Sequence, residues 1–398
     1  MSLGIEEELR VIKFNTVDLL PEEELLEKLR RKGSLIIKYG ADPSRPDLHL
    51  GHYVCLKKLK DLQDLGHHVI FIVGDFTAMI GDPSGRSKTR PRLTPEEVKQ
   101  NSKTYFDQVF KVLDATKTEI RYNSEWLSKL TPYDVIELSA TYTISRMLER
   151  DDFKERFKRN IPISIHEFLY PLFQAYDSVA IKADIEVGGT DQKFNFQVGR
   201  EVQKTYGIEP QVILTVPLLE GTDGKLKMSK SYDNYIGITE APHMMFGKVM
   251  SIPDELVLKY YRLVLYYDDV TIKEIERKMK ENPRECKADL AEKIVEIFWD
   301  KSAAKRAREE FDRVFKFRDI PEAIPEFRIP KEGMALIDIL VNSGIVQSRS
   351  EARRLIAQRA VKVGDQVLEK EFEKIAPEDN MVIKVGKRKF LKVIQQSE

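Results

Sequence analysis

The sequence predicts an α/β domain built on a parallel sheet, then an α-helical segment, then a small α+β domain. Three observations carry that reading. A strand–helix–strand pattern opens the chain, apolar residues at helical spacing take over after about residue 241, and a proline-bearing charged stretch precedes a mixed C-terminal segment.

Residues 34–39 read as a short strand running into the turn Gly40-Ala41-Asp42-Pro43. A helix follows over about 52–65, where Val54, Leu59, Leu62 and Leu65 recur at helical spacing. The apolar run 69–73, closed by Gly74 and Asp75, is the next strand. Further strands are expected at 183–187 and 212–216, with a helix over 192–205 between them. The alternation lasts to about Ile236 and sets a first domain at 1–236. Residues 241–317 carry helical signals, notably over 255–265 and 287–300. The segment 321–330, rich in proline and charge, reads as a linker and closes a second domain at 237–330. Two short helices and β-rich sequence then make a third domain at 331–398.

Composition narrows the function classes. The 398 residues carry 65 basic and 65 acidic side chains, so there is no global charge signal for nucleic acid or membrane, and any RNA contact must be local. A hydrophobic fraction of 42% supplies core material and excludes a wholly disordered chain. Cys55 and Cys286 are far apart and form no CxxC pattern, which argues against a disulfide framework or zinc site and suits a reducing compartment. The first ten residues lack a basic-then-apolar leader pattern, and no run approaches the roughly 18 apolar residues of a membrane span. A soluble cytoplasmic chain without a membrane partner is expected.

Two motifs suggest phosphate chemistry. His49-Leu50-Gly51-His52 falls where the first strand gives way to the first helix. Helix N-termini offer free amides and a partial positive charge, and Gly51 allows close backbone approach. Two imidazoles three apart share one side and can donate to a phosphate in its transition state. By itself this tetrapeptide is as readily a surface turn. Lys227-Met228-Ser229-Lys230-Ser231, preceded by Gly221, Gly224 and Lys225, can fold over a polyphosphate; alone it reads as a solvated basic loop. A third set lies between them: Gly81-Asp82-Pro83-Ser84-Gly85, the helical run from Tyr170 to Asp177, and Gly188-Gly189-Thr190-Asp191-Gln192. On a helix Tyr170, Gln174 and Asp177 share a face, and phenol, amide and carboxylate on one face make an improbable core stripe.

The pair of signatures, some 180 residues apart in an α/β domain, resembles the class I aminoacyl-tRNA synthetases. With the third set the resemblance sharpens to bacterial tyrosyl-tRNA synthetases and runs from about Gly33 to the C-terminus. It implies a Rossmann-like class I catalytic domain, a helical tRNA-binding domain, ATP with Mg²⁺ as substrate complex and no protein-held metal. The implied partners are L-tyrosine, ATP and tRNA(Tyr), and the segment 114–166 resembles the connective insertion through which these enzymes form homodimers. Residue by residue, Asp82, Tyr170 and Gln174 match binders of the substrate ammonium. Asp177 matches the acceptor for the tyrosine hydroxyl, and Gln192 a residue near the substrate carboxylate. Gly40, Asp42, Gly51, Gly189, Asp191 and Ser231 match positions around the nucleotide. His49, His52, Lys227 and Lys230 match the catalytic phosphate-binding signatures, and Arg86 and Arg90 fall where the family has basic residues near the pyrophosphate.

One departure stands out. The best-studied branch has a tyrosine two residues before the glycine of the first turn, contacting the substrate hydroxyl. Here Lys38 holds that position, and Tyr39, one residue on, faces the other side of a strand. The resemblance is to bacterial enzymes lacking that tyrosine.

The C-terminal segment carries Arg349, Arg353, Arg354, Arg359 and Lys362 within two short helices and a strand. From Gly333 onward 12 basic residues face 9 acidic ones. The segment resembles the S4 RNA-binding domain, and its arginine spacing suits contact with phosphates and RNA shape more than base reading. Three rivals remain: a tryptophanyl-tRNA synthetase, a small-molecule nucleotidylyltransferase, and a non-catalytic RNA-binding protein on a synthetase scaffold.

Overall fold

The computed structural model describes residues 4–43, 47–84, 93–102, 105–316, 324–363, 366–377, 381–386 and 389–396. Two compact units divide the chain, residues 1–305 and 306–398.

The first unit is organised by a six-stranded sheet: β1 (Asp18–Leu20), β2 (Ile36–Ala41), β3 (His68–Val73), β4 (Thr118–Tyr122), β5 (Ile185–Gly189) and β6 (Val212–Val216). Their spatial order is β1-β6-β5-β2-β3-β4. All neighbours are parallel except β1, which runs antiparallel to β6. The apolar runs of β3 and β6 are buried on both faces, as a parallel sheet covered by helices requires. The expected strands are present within a residue or two. The sequence reading misses β1 and β4, and both are edges: β1 has three residues, and Thr-Glu-Ile-Arg-Tyr in β4 is only half-buried along its length.

Four helices frame the cleft: α1 (Leu50–Asp64), α2 (Asp151–Lys158), α3 (Ile165–Ile181) and α4 (Lys193–Thr205). Helix α1 buries Leu50, Val54, Leu59 and Leu62. Helix α3 starts at a capping box in which Ser164 and Glu167 satisfy each other's backbone donors. The chain leaves β2 toward β3 on one side, while β5 lies on its other side. The crevice at the carboxyl ends of β2 and β5 is therefore the topological switch point, where open α/β sheets bind ligands. Helices over Pro242–Met250, Asp254–Leu263, Asp269–Glu281 and Pro283–Phe298 follow the sheet in this unit, with Tyr260 donating to the Glu220 carbonyl at 2.7 Å.

The second unit holds a five-stranded sheet in the order Gln366–Val367, Val361–Val363, Val382–Val385, Lys389–Gln395, Glu326–Ile329. Helices Leu336–Asn342 and Arg349–Ala357 pack over it, with Leu336, Ile339, Leu340, Ile356 and Val393 in the core. Residues 326–329, expected within the linker, are instead a strand parallel to Lys389–Gln395. Ile329 is fully buried and Phe327 packs beside it, so burial outweighs the loop signal of the flanking prolines. Among the described residues no helix is long and apolar enough to cross a membrane.

Candidate active site

A cleft of about 630 Å³ opens at the switch point. Fifteen residues singled out for catalysis, nucleotide or tyrosine line it: Gly40, Asp42, His49, Gly51, His52, Asp82, Tyr170, Gln174, Asp177, Gly189, Asp191, Gln192, Lys227, Lys230 and Ser231. Arg86 and Arg90 lie outside the described residues.

At one end His49 caps α1 and stacks on His52, with ring centres 3.9 Å apart. A β-carbon on Gly51 would come within 3.0 Å of the His49 ring, so a side chain there would crowd the imidazole. The His49 backbone N–H donates to His52 Nδ1 at 3.3 Å. Burial, followed by His52 and the two signature lysines, holds His49 well below its ordinary value, and burial and the same lysines bring His52 down to about 4. Both rings are thus neutral at pH 7. With Nδ1 of His52 accepting, its proton sits on Nε2, where it can donate to an oxyanion. The buried Nδ1 of His49 has no hydrogen-bond partner among the described residues. Lys227 is paired with Asp191 at 2.5 Å and Lys230 with Asp47 at 3.2 Å. Both ammonium groups therefore lie at the rim of the same cleft as the imidazoles.

The other end is a buried polar network. Burial raises the Asp177 carboxyl to about 7, against the opposing pull of the Lys38 charge and of hydrogen bonds from Trp126 and Asn123. Trp126 Nε1 donates to Oδ1 at 2.8 Å and Asn123 Nδ2 to Oδ2 at 3.3 Å. Each carboxylate oxygen keeps further acceptor capacity toward the cleft. Tyr170 donates to Asp42 at 2.9 Å, and Thr77 donates to the other Asp42 oxygen at 2.7 Å. Gln192 donates to Asp82 at 2.8 Å, while Asn195 bridges the amide oxygens of Gln174 and Gln192, each at 2.9 Å. Burial pushes the Asp82 carboxyl up, but the Arg150 guanidinium and hydrogen bonds from Ser84 outweigh it and leave the group below its usual range. Arg150, at the N-cap of α2, donates to Ser84 at 2.6 Å and Asn195 at 3.1 Å.

Sequence reasoning missed Thr77, Ser84, Asn123, Trp126, Arg150, Glu186 and Asn195. Ser84 stood inside a quoted motif, next to Asp82. The others carry no local pattern, and only the fold collects them.

In the second unit Arg349, Arg353 and Arg354 lie on the helix Arg349–Ala357, Arg359 follows it, and Lys362 is on the next strand. Arg349 pairs with Asp338, Arg353 with Glu371 and Arg359 with Glu369, at 2.6–2.7 Å. These arginines are more than half exposed, and such surface pairs contribute only about 0–1 kcal/mol, so a phosphate can displace the carboxylates.

Comparison with known proteins identifies the family. Residues 30–316 match the family model of class I tRNA synthetases (W and Y), and residues 316–393 match the tyrosine–tRNA ligase SYY-like C-terminal domain. The chain is 54% identical over 391 residues to the tyrosine–tRNA ligase of Thermotoga maritima, covering 98% of this chain and 97% of that protein. The chain belongs to the tyrosine–tRNA ligases. The ligase of Aquifex aeolicus is 51% identical, covering 98% of this chain and 99% of its own. Two solved structures share the fold. Tyrosyl-tRNA synthetase from Archaeoglobus fulgidus, complexed with L-tyrosine, has a TM-score of 0.64 at 24% identity and covers 77% of this chain and 100% of its own. Tryptophanyl-tRNA synthetase from Plasmodium falciparum has a TM-score of 0.59 at 17% identity and covers 78% of this chain and 90% of its own. The fold is thus common to tyrosine and tryptophan enzymes, and the sequence relatives with the C-terminal match separate them. The ligase is a class I aminoacyl-tRNA synthetase with tyrosine, ATP and tRNA as substrates, which sets the three rival readings aside.

Proposed function

We propose that this ligase divides its cleft by chemistry: the buried polar end reads tyrosine and the histidine–lysine end stabilises the leaving pyrophosphate. The observation that supports it most is the buried Asp177 carboxylate, with one donor on each oxygen and its remaining acceptor capacity toward the cleft. Asp177 accepts the substrate hydroxyl. Asp82, Tyr170 and Gln174 hold the ammonium, and Gln192 lies near the carboxylate. Gly40, Asp42, Gly51, Gly189, Asp191 and Ser231 surround the adenylate.

The tyrosine carboxylate is ionised at neutral pH and needs no general base to attack the α-phosphorus of ATP. As that bond forms, the bond to the bridging oxygen breaks and charge moves onto pyrophosphate. Positioning and charge stabilisation then supply the catalysis. His49 and His52 donate as neutral imidazoles, Lys227 and Lys230 exchange their carboxylate partners for phosphate, and Arg86 and Arg90 add positive charge. Among the described residues no cluster of three His, Cys, Asp or Glu side chains could hold a metal ion. Mg²⁺ in this reading arrives with ATP, held by phosphate oxygens and water. In the second step the terminal ribose hydroxyl of tRNA attacks the tyrosyl carbonyl and releases AMP.

The reading includes a cytoplasmic homodimer formed through segment 114–166. Tyr133, Ile136, Ile144, Phe157 and Ile165 in that segment are 64–83% exposed, an unusual density of bare apolar side chains on a surface. Sedimentation should give twice the chain mass of 46.1 kDa, and a monomer at micromolar concentration would contradict it.

The catalytic part spans 1–236, the helical part runs from 237 to Lys316, and the RNA-binding part begins with the strand Glu326–Ile329, with Arg349, Arg353, Arg354, Arg359 and Lys362 gripping tRNA(Tyr). Because Glu326–Ile329 belongs to the C-terminal sheet, the informative truncation ends at Lys316. It should retain tyrosine activation and lose most tRNA charging, and its tRNA affinity should fall less steeply with salt than that of the full chain. Pyrophosphate exchange, aminoacylation and filter binding at several salt concentrations test this. Equal loss of both activities would make the domain structural, and equal charging would make it dispensable.

A further inference from the structure

Lys38 lies in the middle of β2 with its side chain fully buried, beneath the tyrosine end of the cleft. Its ammonium meets three acceptors: Glu186 Oε1 at 2.8 Å, the Gln174 carbonyl at 2.7 Å and Ser178 Oγ at 2.7 Å. Three donors and three acceptors leave it saturated. Glu186, on the neighbouring strand β5 and equally buried, accepts from the Gln174 side-chain amide at 3.2 Å and from Gln211. Gln174 and Ser178 are one helical turn apart on α3, and Asp177 lies between them. One buried ion pair therefore holds the backbone of Gln174, the side chain of Gln174 and the next turn of the same helix.

Stability alone gives a poor account of this pair. Desolvating two charges offsets most of their attraction, and well-packed apolar residues usually serve a core as well or better. The position of the pair, directly behind two residues assigned to the substrate, supplies a different account.

We propose that Lys38, through its buried pair with Glu186, is a positioning residue for tyrosine selection, fixing Gln174 against the substrate ammonium and Asp177 against the substrate hydroxyl. The proposal rests on the substrate roles assigned to Asp177 and Gln174. It accounts for how this chain does without a tyrosine at position 38: the lysine works from behind α3 and does not touch the substrate. Its charge also opposes the burial that drives Asp177 toward its protonated form.

The test uses the full chain with the variants Lys38→Met, the near-isosteric neutral pair Lys38→Met/Glu186→Gln, and Asp177→Asn. Pyrophosphate exchange gives kcat and KM for tyrosine, phenylalanine and ATP, and thermal denaturation reports folding. The double variant, which removes the unpaired buried charge left by Lys38→Met, should regain thermal stability relative to that single change. It should nonetheless lose roughly ten- to a hundredfold in kcat/KM for tyrosine, mainly through KM, as a small misplacement of binding groups does. The KM for ATP should stay at the parent value and the tyrosine-to-phenylalanine ratio should fall. Parent-like tyrosine KM and selectivity in the double variant would overturn the proposal, as would equal damage to tyrosine and ATP. If Asp177→Asn changes selectivity and the Lys38 variants do not, the inference fails alone. If Asp177→Asn leaves selectivity unchanged, the substrate reading fails and the inference with it. Should the double variant not fold, Ser178→Ala removes one acceptor without a charge change. A tyrosine KM raised roughly two- to tenfold is then expected, and a parent value overturns the proposal.

Discussion

Asp177→Asn is expected to lower kcat/KM for tyrosine by roughly ten- to a hundredfold while leaving phenylalanine nearly unchanged. The reason is a count of acceptors. Trp126 and Asn123 each donate to one carboxylate oxygen, and the substrate hydroxyl must find a lone pair on one of them. An amide offers one oxygen and turns an N–H₂ toward one of the donors. Either the phenol or a buried protein donor then loses its acceptor, and leaving a buried polar group unsatisfied costs about 1–3 kcal/mol. Phenylalanine has no hydroxyl to lose, so the selectivity ratio falls with the tyrosine rate. The ratio of kcat/KM values in pyrophosphate exchange measures this, and an unchanged ratio would remove Asp177 from the hydroxyl site.

Lys230→Ala is expected to slow adenylate formation by about 10²–10³-fold with tyrosine affinity unchanged. A prepositioned charge aimed at a developing anion acts in the transition state, and losing one such group has about this effect. Lys230 rests on Asp47 at the histidine end of the cleft, whereas tyrosine recognition is assigned to the network around Asp177 and Asp82. The loss should therefore appear in kcat and not in the tyrosine dissociation constant. Single-turnover adenylate formation alongside equilibrium tyrosine binding separates the two. A parent-like rate would mean the loop is only a solvated basic turn, and weakened tyrosine binding would mean that it shapes the amino-acid site.

Much of this architecture was legible in the sequence because it is local. The apolar run of β3 and the helical spacing of α1 are periodic signals, and both elements appear where periodicity puts them. The same holds for the side-chain alternation of β2. Lys38 reaches Gln174 and Ser178 on α3, while Tyr39 turns to the opposite face and packs against Phe71 with ring centres 5.4 Å apart. The edges were not legible. The strand β1 is too short to show a period, and Glu326–Ile329 sits between two prolines that read as loop. The support behind the site was hidden for a different reason. Arg150 comes from the start of α2, Asn123 from the turn after β4 and Glu186 from β5, and each looks like an ordinary polar residue in its own segment. What gives them roles is the convergence of distant segments on Asp82, Asp177 and Gln174, which is a property of the fold.

ATP–pyrophosphate exchange measured with the full chain against each of the twenty amino acids tests the central claim most directly. The account predicts exchange that depends on tyrosine, with phenylalanine far behind and tryptophan at background. Exchange supported by tryptophan or another amino acid as well as by tyrosine, or no amino-acid-dependent exchange at all, would contradict it.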